Sequence, residues 1–352
     1  MRIAYLEQPN FAPRVLPGLI GGPTLGIRMV LTGPDMQFVR GLHNLKPRHR
    51  HGVVTIGNFD GLHLGHQALL RLLAEKSAKL NTHSCMISFD PLPHEYFTGG
   101  KAGPRLMSAR EKIITMLELE PPLTPDYLLM LRFDEALARM SADEFIERIL
   151  VDALAVRAVV VGDDFRFGSK RQGDYALLRT AGEKYGFEAV ELSTHSVDNM
   201  RVSSTAVREA LLQDRLRDAE RMLGRFYRIC GRVAHGDKRG RTIGFPTANI
   251  RLNHPVLSLH GVYAATLCSR TLGELPAVAN IGRRPTVNGE RVLLEVHVFD
   301  FDSDIYGQNV CVAFHHKIRD EKKFESFELL RQRIETDCEL AREFHRQEMN
   351  RR

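Results

Sequence analysis

The fold of the first half of the chain is decided by the stretch Gly52-Val-Val-Thr-Ile-Gly57-Asn-Phe-Asp-Gly61-Leu-His63-Leu-Gly65-His66. Its opening apolar, β-branched run predicts a short buried strand. A glycine-rich turn then leads into a helix predicted over 65–80, because leucines recur there at helical spacing. Strand, turn and helix in this order are typical of a parallel sheet, which binds ligands where its strands end.

Strands and helices continue to alternate up to residue 192, and two helices begin with capping boxes, at 108–111 and 141–144. The further predicted strands are 84–89, 127–133, 158–162 and 187–192. This alternation predicts a mainly parallel, doubly wound α/β sheet. After residue 223, short strand-like stretches follow one another up to a final helix near 327–344. The second half therefore predicts an antiparallel sandwich or barrel, and the fold class is α/β plus β.

Composition limits the classes of protein that fit the chain. Its 352 residues are 43% hydrophobic and 26% charged, as in globular proteins, and no run approaches the roughly 20 apolar residues of a membrane helix. Five cysteines are scattered without a C-x-x-C pair, so we expect neither a disulfide framework nor a cysteine zinc site, and a reducing cytoplasm fits. The first 50 residues contribute +5 to the net charge of +6, so nucleic-acid binding stays a minor alternative.

The first candidate site is the H-x-G-H sequence of His63 and His66. Both side chains can donate to the same phosphate oxygens, and the start of the following helix favours an anion. The alternative is a glycine-rich turn with incidental surface histidines. The sequence has no G-x-x-x-x-G-K-[ST], no G-x-G-x-x-G after the first strand and no H-E-x-x-H. A P-loop, hydride transfer on a dinucleotide and a metalloprotease helix are therefore disfavoured.

A second motif, Ser203-Ser-Thr-Ala-Val-Arg208, opens a late helix. By itself it is equally consistent with an ordinary N-cap. Together with H-x-G-H it resembles the nucleotidyltransferase superfamily, with a Rossmann-like fold. The resemblance implies that hydroxyls, helix-start N–H groups and the Arg208 cation bind the ATP phosphates. The implied ATP-binding residues are Gly57, Asn58, Phe59, Asp60, His63, His66, Ser203, Ser204, Thr205 and Arg208, of which the two histidines are catalytic.

Two further stretches, Phe89-Asp-Pro-Leu-Pro93 and Val161-Gly-Asp-Asp-Phe-Arg-Phe-Gly168, resemble the bacterial bifunctional riboflavin kinase/FAD synthetase family. In that family they shape the flavin pocket of the adenylyltransferase half. The aromatic rings, including Phe167, would offer surface to an isoalloxazine ring, and the aspartates would offer acceptors. The implied flavin-binding residues are Phe89, Pro91, Asp163, Asp164 and Phe165.

The β-rich half contains a stretch over 231–249 that is rich in glycine, cations and hydrogen-bond donors. Such a loop suits nucleotide phosphates, and the alternative is a mobile surface hairpin. Thr247 and Asn249 alternate on one strand face, so both could reach one magnesium–phosphate group. With the motifs at 261–264, 280–286, 294–297 and 318–324, this half resembles a riboflavin kinase domain over about 224–347.

The kinase resemblance assigns roles residue by residue. Gly240, Gly244, Thr247 and Asn249 would bind ATP, and the last two would hold its Mg²⁺. Glu295 would be the general base that takes the proton of a ribityl hydroxyl, although alone it reads as a solvent-facing strand residue. Arg319 and Phe324 would border the flavin with Glu295. His297 is expected to satisfy a hydrogen bond rather than to act as a catalyst.

The combined interpretation is a cytoplasmic enzyme that makes FMN from riboflavin and FAD from FMN, using ATP with Mg²⁺. The predicted organisation is a poorly ordered leader over 1–35, an adenylyltransferase domain over 36–215, a linker over 216–223 and a kinase domain over 224–352. The leader would also be explained by a start codon that is assigned too far upstream. The expected partners are small molecules, without nucleic acid or membrane, and the chain is a monomer or weak homo-oligomer. A monofunctional adenylyltransferase, with the barrel as a binding module, remains the nearer alternative.

Overall fold

The structure is a computed structural model that describes residues 36–99, 103–193, 196–197, 200–235, 244–252, 257–286 and 289–350. Its two halves are the α/β layer and the barrel that the sequence predicts. None of the helices in these ranges combines the length and the apolar character that crossing a membrane requires.

The first half is built on a six-stranded sheet in the order β1-β4-β3-β2-β5-β6. Its strands are β1 (Gln37–Arg40), β2 (Val53–Ile56), β3 (Ser84–Phe89), β4 (Tyr127–Leu131), β5 (Ala158–Gly162) and β6 (Glu188–Leu192). All neighbouring pairs run parallel, which confirms the predicted parallel sheet. Every residue of β2 is buried, because helices cover both faces of the sheet.

The helices of this half follow the predicted alternation. They are α1 (Leu64–Lys79), α2 (Pro93–Phe97), α3 (Ala109–Glu118), α4 (Glu135–Arg139), α5 (Ala142–Phe145), α6 (Tyr175–Tyr185) and α7 (Ser204–Leu212). A π-helix, Ile146–Ala153, continues α5, and a short hairpin, β7 (Ser196–Val197) and β8 (Met200–Arg201), precedes α7. Both predicted capping boxes form, since Ser108 and Ser141 accept from the N–H groups of Glu111 and Glu144.

The topology positions the first site at the centre of the sheet. From β2 the chain continues through β3 to β4 on one side, whereas β5 returns to the other side of β2. This reversal opens a crevice at the carboxyl end of β2, which is where doubly wound sheets bind ligands. The glycine-rich loop over 57–63 begins at this point.

The second half is a closed barrel in the order β10-β13-β12-β11-β14-β9. Its strands are β9 (Arg228–Ala234), β10 (Ala248–Arg251), β11 (Gly261–Ser269), β12 (Gly273–Thr286), β13 (Gly289–Val298) and β14 (Asn309–Arg319). All pairs are antiparallel. Alternate residues fill the interior, so Leu294 and Val296 are fully buried while Glu295 and His297 lie on the outer face.

Two further helices flank the barrel. The helix α8 (Leu216–Leu223) lies between the last helix of the first half and β9, and α9 (Phe327–Met349) packs against the outside of β11 and β12. The turn between α7 and α8 is tied to the barrel, because Asp214 accepts from the Tyr263 hydroxyl at 2.9 Å and from Lys317 Nζ at 2.6 Å.

The structure contains one disulfide, which the sequence analysis did not identify. The structure pairs Cys230 with Cys311 in a disulfide, while Cys85, Cys268 and Cys338 are free. The two bonded residues are 81 positions apart in sequence but lie directly opposite each other on the neighbouring strands β9 and β14. Their spacing in the sequence carries no sign of this pairing, because it depends on barrel closure.

Candidate active sites

The H-x-G-H sequence forms the end of the loop and the first turn of α1. His63 is the N-cap of α1, and its Nδ1 accepts from the backbone N–H of His66 at 3.3 Å. This bond leaves Nε2 as the protonated nitrogen of a neutral His63 ring. The two imidazole rings stack with their centroids 3.6 Å apart, so both histidines lie side by side at the start of the helix.

His66 is a neutral ring at physiological pH. Burial lowers the pKa of His66 well below its usual value, and its electrostatic interactions with His63, Lys112 and Arg225 lower it further. Its Nδ1 is buried and has no hydrogen-bond partner among the described residues. A buried ring nitrogen without a partner is rare in native structures, and a bound water or ligand group would satisfy it.

A buried lysine that the sequence analysis missed lies under the same loop. Lys112 on α3 donates from Nζ to the Asn58 carbonyl at 2.7 Å and to Ser88 Oγ at 2.6 Å. Burial lowers the pKa of Lys112 to about 8, so its ammonium remains mostly charged at neutral pH. Its only sign in the sequence is its position on the buried face of α3, beside Thr115 and Met116.

The start of α7 lies against this loop, so the structure brings together two motifs about 140 residues apart in sequence. Ser204 Oγ donates to the Asp60 carbonyl at 2.8 Å. Ser203 is the N-cap and accepts from the N–H of Ala206 at 3.2 Å, and Thr205 is exposed in the first turn. The hydroxyl-rich helix start therefore adjoins the histidine pair.

Asp60 acts within the protein. Only 2% of the residue is exposed, and its carboxylate accepts from the N–H groups of Leu106 and Met107 at 3.0 and 3.1 Å. It also pairs with Arg208 Nη2 at 2.5 Å, while Arg208 Nε donates to the Pro104 carbonyl. Any contact of Asp60 with a nucleotide would therefore be made by its backbone, and its carboxylate orients Arg208.

Aromatic side chains gather beyond the next two strands. Phe89 at the end of β3 meets Phe133, which follows β4, with 5.8 Å between the ring centroids. Tyr96 and Phe97 of α2 pack on the same Phe133 ring at 5.5 and 5.8 Å, and 67% of Phe97 is exposed. The sequence analysis singled out Phe89 alone. The other three, Tyr96, Phe97 and Phe133, could have been found because aromatic residues follow the ends of two adjacent strands in the sequence.

The segment after β5 contributes fewer aromatic groups than expected. Asp163 and Asp164 are exposed, and Asp164 pairs with Arg201 at 3.2 Å. Phe165 is half-buried and stacks on Phe167. Phe167 is only 7% exposed and belongs to the core beside Phe145, so the expectation that it offers surface to a flavin is wrong.

In the barrel, three of the kinase candidates, Asn249, Glu295 and Arg319, fall on one transverse band of the outer face. Asn249 of β10 lies opposite Glu295 of β13, and Glu295 lies opposite Asn280 of β12. The same register continues through Val262 of β11 to Arg319 of β14. Because directly opposed residues point to the same face of a sheet, Glu295 lies between two amide side chains. Asn280 is the neighbour that the sequence analysis quoted but did not assign.

The remaining ATP candidates lie at the start of β10. Thr247 immediately precedes the strand, and Gly244 has a φ of +88°, a backbone conformation that favours glycine. Gly240 lies outside the described residues. His297 Nδ1 is 2.8 Å from the Pro246 carbonyl, which agrees with its predicted role as a hydrogen-bonded neighbour.

Arg319 and Phe324 lie at the edge of α9. The Arg319 guanidinium pairs with Asp337, which is 2% exposed, and it fastens the helix to the barrel. Its Cζ is 5.6 Å from the centroid of the Phe324 ring, which is half-buried. The band that contains Glu295 thus ends at a fixed cation beside an aromatic ring.

Together the two halves define a class of protein: a nucleotidyltransferase-type α/β unit joined to a flavokinase-type barrel. The FAD synthetase family profile matches residues 45–206, and the riboflavin kinase family profile matches residues 223–345. The chain is 48% identical over 309 residues to a bifunctional riboflavin kinase/FMN adenylyltransferase from Haemophilus influenzae, covering 88% of this chain and 99% of that protein. A relative of the same description from Escherichia coli K12 is 46% identical over 310 residues, or 88% of this chain and 98% of that protein.

A solved structure described as a macrolide-efflux protein from Streptococcus pneumoniae superposes with a TM-score of 0.72 at 28% identity. It covers 87% of this chain and 98% of that chain, so the two share a fold across both halves. The chain belongs to the family of bifunctional riboflavin kinase/FMN adenylyltransferases. The predicted family, fold class and both transferase activities are confirmed.

Proposed function

We propose that the chain carries out the two activities of its family in sequence, each in its own half. The barrel would transfer the γ-phosphoryl group of MgATP to the ribityl 5′-hydroxyl of riboflavin, giving FMN and ADP. The α/β half would then join FMN to the AMP part of a second ATP, giving FAD and pyrophosphate. The observation that carries this division is that the candidate residues of each reaction lie together within one half.

In the α/β half, a phosphate oxygen of FMN attacks the α-phosphorus of ATP and pyrophosphate leaves, without a covalent enzyme intermediate. His63 and His66 donate to the phosphate oxygens on which charge increases. The N-terminus of α1, the start of α7 over 203–205 and Arg208 receive the rest of the polyphosphate. The flavin ring lies on the aromatic cluster around Phe89, beside the segments that contain Pro91 and 163–165.

In the barrel half, Glu295 accepts the proton of the ribityl hydroxyl as that oxygen attacks the γ-phosphorus. Thr247 and Asn249 would supply side-chain oxygen ligands for the Mg²⁺ that arrives with ATP, and oxygen is the donor atom that this ion prefers. Gly240 and Gly244 allow the backbone to approach the phosphates. Arg319 and Phe324 border the flavin at the other end of the band, with Asn280 beside Glu295.

The direct test follows the flavins over time. We expect the purified chain, given riboflavin, ATP and Mg²⁺, to form FMN first and FAD later, as separated by liquid chromatography. Given FMN instead of riboflavin, it should form FAD and release one pyrophosphate per FAD. Formation of FAD from FMN without any phosphorylation of riboflavin would favour the monofunctional adenylyltransferase.

We also propose the domain limits 36–215, 216–223 and 224–352. A dispensable leader is compatible with two comparisons: the FAD synthetase family profile begins at residue 45, and 88% of this chain matches 99% of the Haemophilus influenzae protein. Deletion of residues 1–35 is therefore expected to leave both rates within about twofold of the full chain. Loss of either activity in a folded deletion variant would assign the leader a role.

The proposed setting is the cytoplasm, with riboflavin, FMN and MgATP as partners and with no nucleic-acid or membrane partner. The proposed oligomeric state is a monomer or weak homo-oligomer. Gel filtration over a range of protein concentrations tests the oligomeric state. Binding to nucleic acid that falls steeply with added salt and depends on 36–352 would support the minor alternative.

A further inference from the structure

A guanidinium from the riboflavin kinase region lies against the loop that contains His63. Arg225, within the matched range 223–345, donates from Nη2 to the Gly61 carbonyl at 2.7 Å. Its Nη1 lies 3.2 Å from the Leu62 carbonyl and 3.1 Å from the Leu223 carbonyl. One side chain thus bridges two consecutive carbonyls of the first site and the end of the connecting helix α8.

The backbone that Arg225 holds is strained. Leu62, which directly precedes His63, has a φ of +44°, and Phe59 in the same loop has a φ of +47°. Side chains other than glycine adopt such values at a cost in free energy, so the conformation persists only where surrounding contacts enforce it. Both residues are fully buried, and hydrogen bonds to the loop carbonyls provide such enforcement.

A second donor acts on the same atoms. Gln67 on α1 donates from Nε2 to the Leu62 carbonyl and to the Leu223 carbonyl, both at 3.0 Å. The connection also packs closely on the loop, since a Cβ at Gly224 would approach Leu64 to 2.8 Å. A small cavity between this connection, the loop and α3 is lined by Gly61, Leu106 and Arg225, among others. The junction is therefore tightly packed.

Ion pairing does not explain where Arg225 lies. In the part of the chain that the structure describes, its partners are backbone carbonyls and no carboxylate forms an ion pair with it. Burial lowers the pKa of Arg225 to about 10, so the group remains charged at neutral pH. A cation that loses solvation without gaining a counter-ion is costly, which indicates that its hydrogen bonds serve the loop.

We propose that Arg225 of the kinase region is a positioning residue of the adenylyltransferase site. It fixes the strained turn before His63 and so sets the positions of both histidines, which makes FAD synthesis dependent on the docked barrel. Riboflavin phosphorylation does not depend on this contact. This inference rests on the proposed function of the histidine pair.

The main test is Arg225→Met, which keeps a linear side chain and removes the guanidinium donors. We expect kcat for FAD synthesis from FMN to fall about 100-fold, the effect of misplacing reacting groups by about 1 Å. The KM values for FMN and ATP should change by less than about threefold, because positioning acts mainly on the transition state. Kinase activity in the same preparation should stay within about twofold and reports that the protein is folded.

Arg228→Met is the matched control. Arg228 lies on β9 and also joins the two halves, through Thr115 Oγ1 at 3.1 Å and an ion pair with Glu118, but it makes no hydrogen bond or ion pair with the loop over 57–66. We expect its FAD synthesis to remain within about threefold of the unmodified chain. Arg225→Lys keeps the charge but cannot form the same two-pronged contact, so it should recover only part of the loss.

The outcomes separate the inference from the function on which it rests. An unmodified chain that makes no FAD from FMN contradicts the proposed function itself. If the unmodified chain is active and Arg225→Met retains its kcat, or loses no more than Arg228→Met, the positioning role is wrong. If Arg225→Met also loses kinase activity, the protein has been damaged as a whole, and two milder variants replace it. These are Arg225→Lys and Gln67→Leu, and normal FAD synthesis in both would overturn the proposal.

Discussion

Replacing His63 and His66 together by alanine is expected to abolish FAD formation from FMN. In the proposed mechanism each ring donates to a phosphate oxygen on which charge increases, and one such donor contributes about 2.7–4 kcal/mol to the transition state, or about 10²–10³ in rate. The double variant should therefore lose several orders of magnitude. The measurement is the rate of FAD formation from FMN and MgATP, followed by chromatography.

The same preparation contains its own control. Phosphorylation of riboflavin uses the other half of the chain and should persist in the double variant. Single variants test whether His66 acts as a neutral donor, since burial keeps its pKa low and its ring neutral. His66→Asn supplies a neutral amide donor and should retain more activity than His66→Ala. Normal FAD synthesis in the double variant would remove the histidines from the mechanism.

The position of the first site could be predicted from sequence because it depends on local order. A buried strand, a glycine-rich turn and a helix in sequence place His63 and His66 at the carboxyl end of a parallel strand wherever the rest of the sheet lies. The hydroxyl motif at 203–205 could be added through the family resemblance alone. Its contact with the Asp60 carbonyl depends on tertiary packing, which no local pattern reports.

The side chains that support this loop could not be predicted for the same reason. Lys112 and Arg225 come from α3 and from the connection to the barrel, and each has the sequence signature of an ordinary charged residue. Only the folded chain shows that both donate to carbonyls of the glycine-rich loop. The opposite error occurred at Phe167. Its place in a recognised motif suggested that it contacts the flavin, but in the structure it is part of the core.

In the barrel half, a different property limits what the sequence can predict, namely the register of the strands. Alternation predicts which face of β13 Glu295 occupies, but strand register decides which residues lie beside it. Register is fixed by barrel closure, so the row of Asn249, Glu295 and Asn280 emerges only in the structure. The disulfide between Cys230 and Cys311 is hidden by the same dependence on register.

Glu295→Gln is expected to lower riboflavin phosphorylation by about 10²–10⁴-fold, the usual range for loss of a general base. The amide keeps the shape of the side chain and its place between Asn249 and Asn280, but it cannot accept a proton near neutral pH. The loss should appear in kcat, because binding of riboflavin and MgATP does not require the proton acceptor. Steady-state rates of FMN formation give the measurement.

FAD formation from supplied FMN should be little changed in Glu295→Gln, because the proposed site of that reaction is the histidine pair in the other half. Binding of MgATP by the barrel should also persist, since Thr247 and Asn249 are the proposed contacts. Asn280→Asp tests the same neighbourhood from the other side: a second carboxylate opposite Glu295 places two like charges side by side where Glu295 now has an amide neighbour, and it should lower the rate of riboflavin phosphorylation. If instead Glu295 is only a solvent-facing strand residue, Glu295→Gln will phosphorylate riboflavin at a near-normal rate, and the general base must be sought elsewhere on the band.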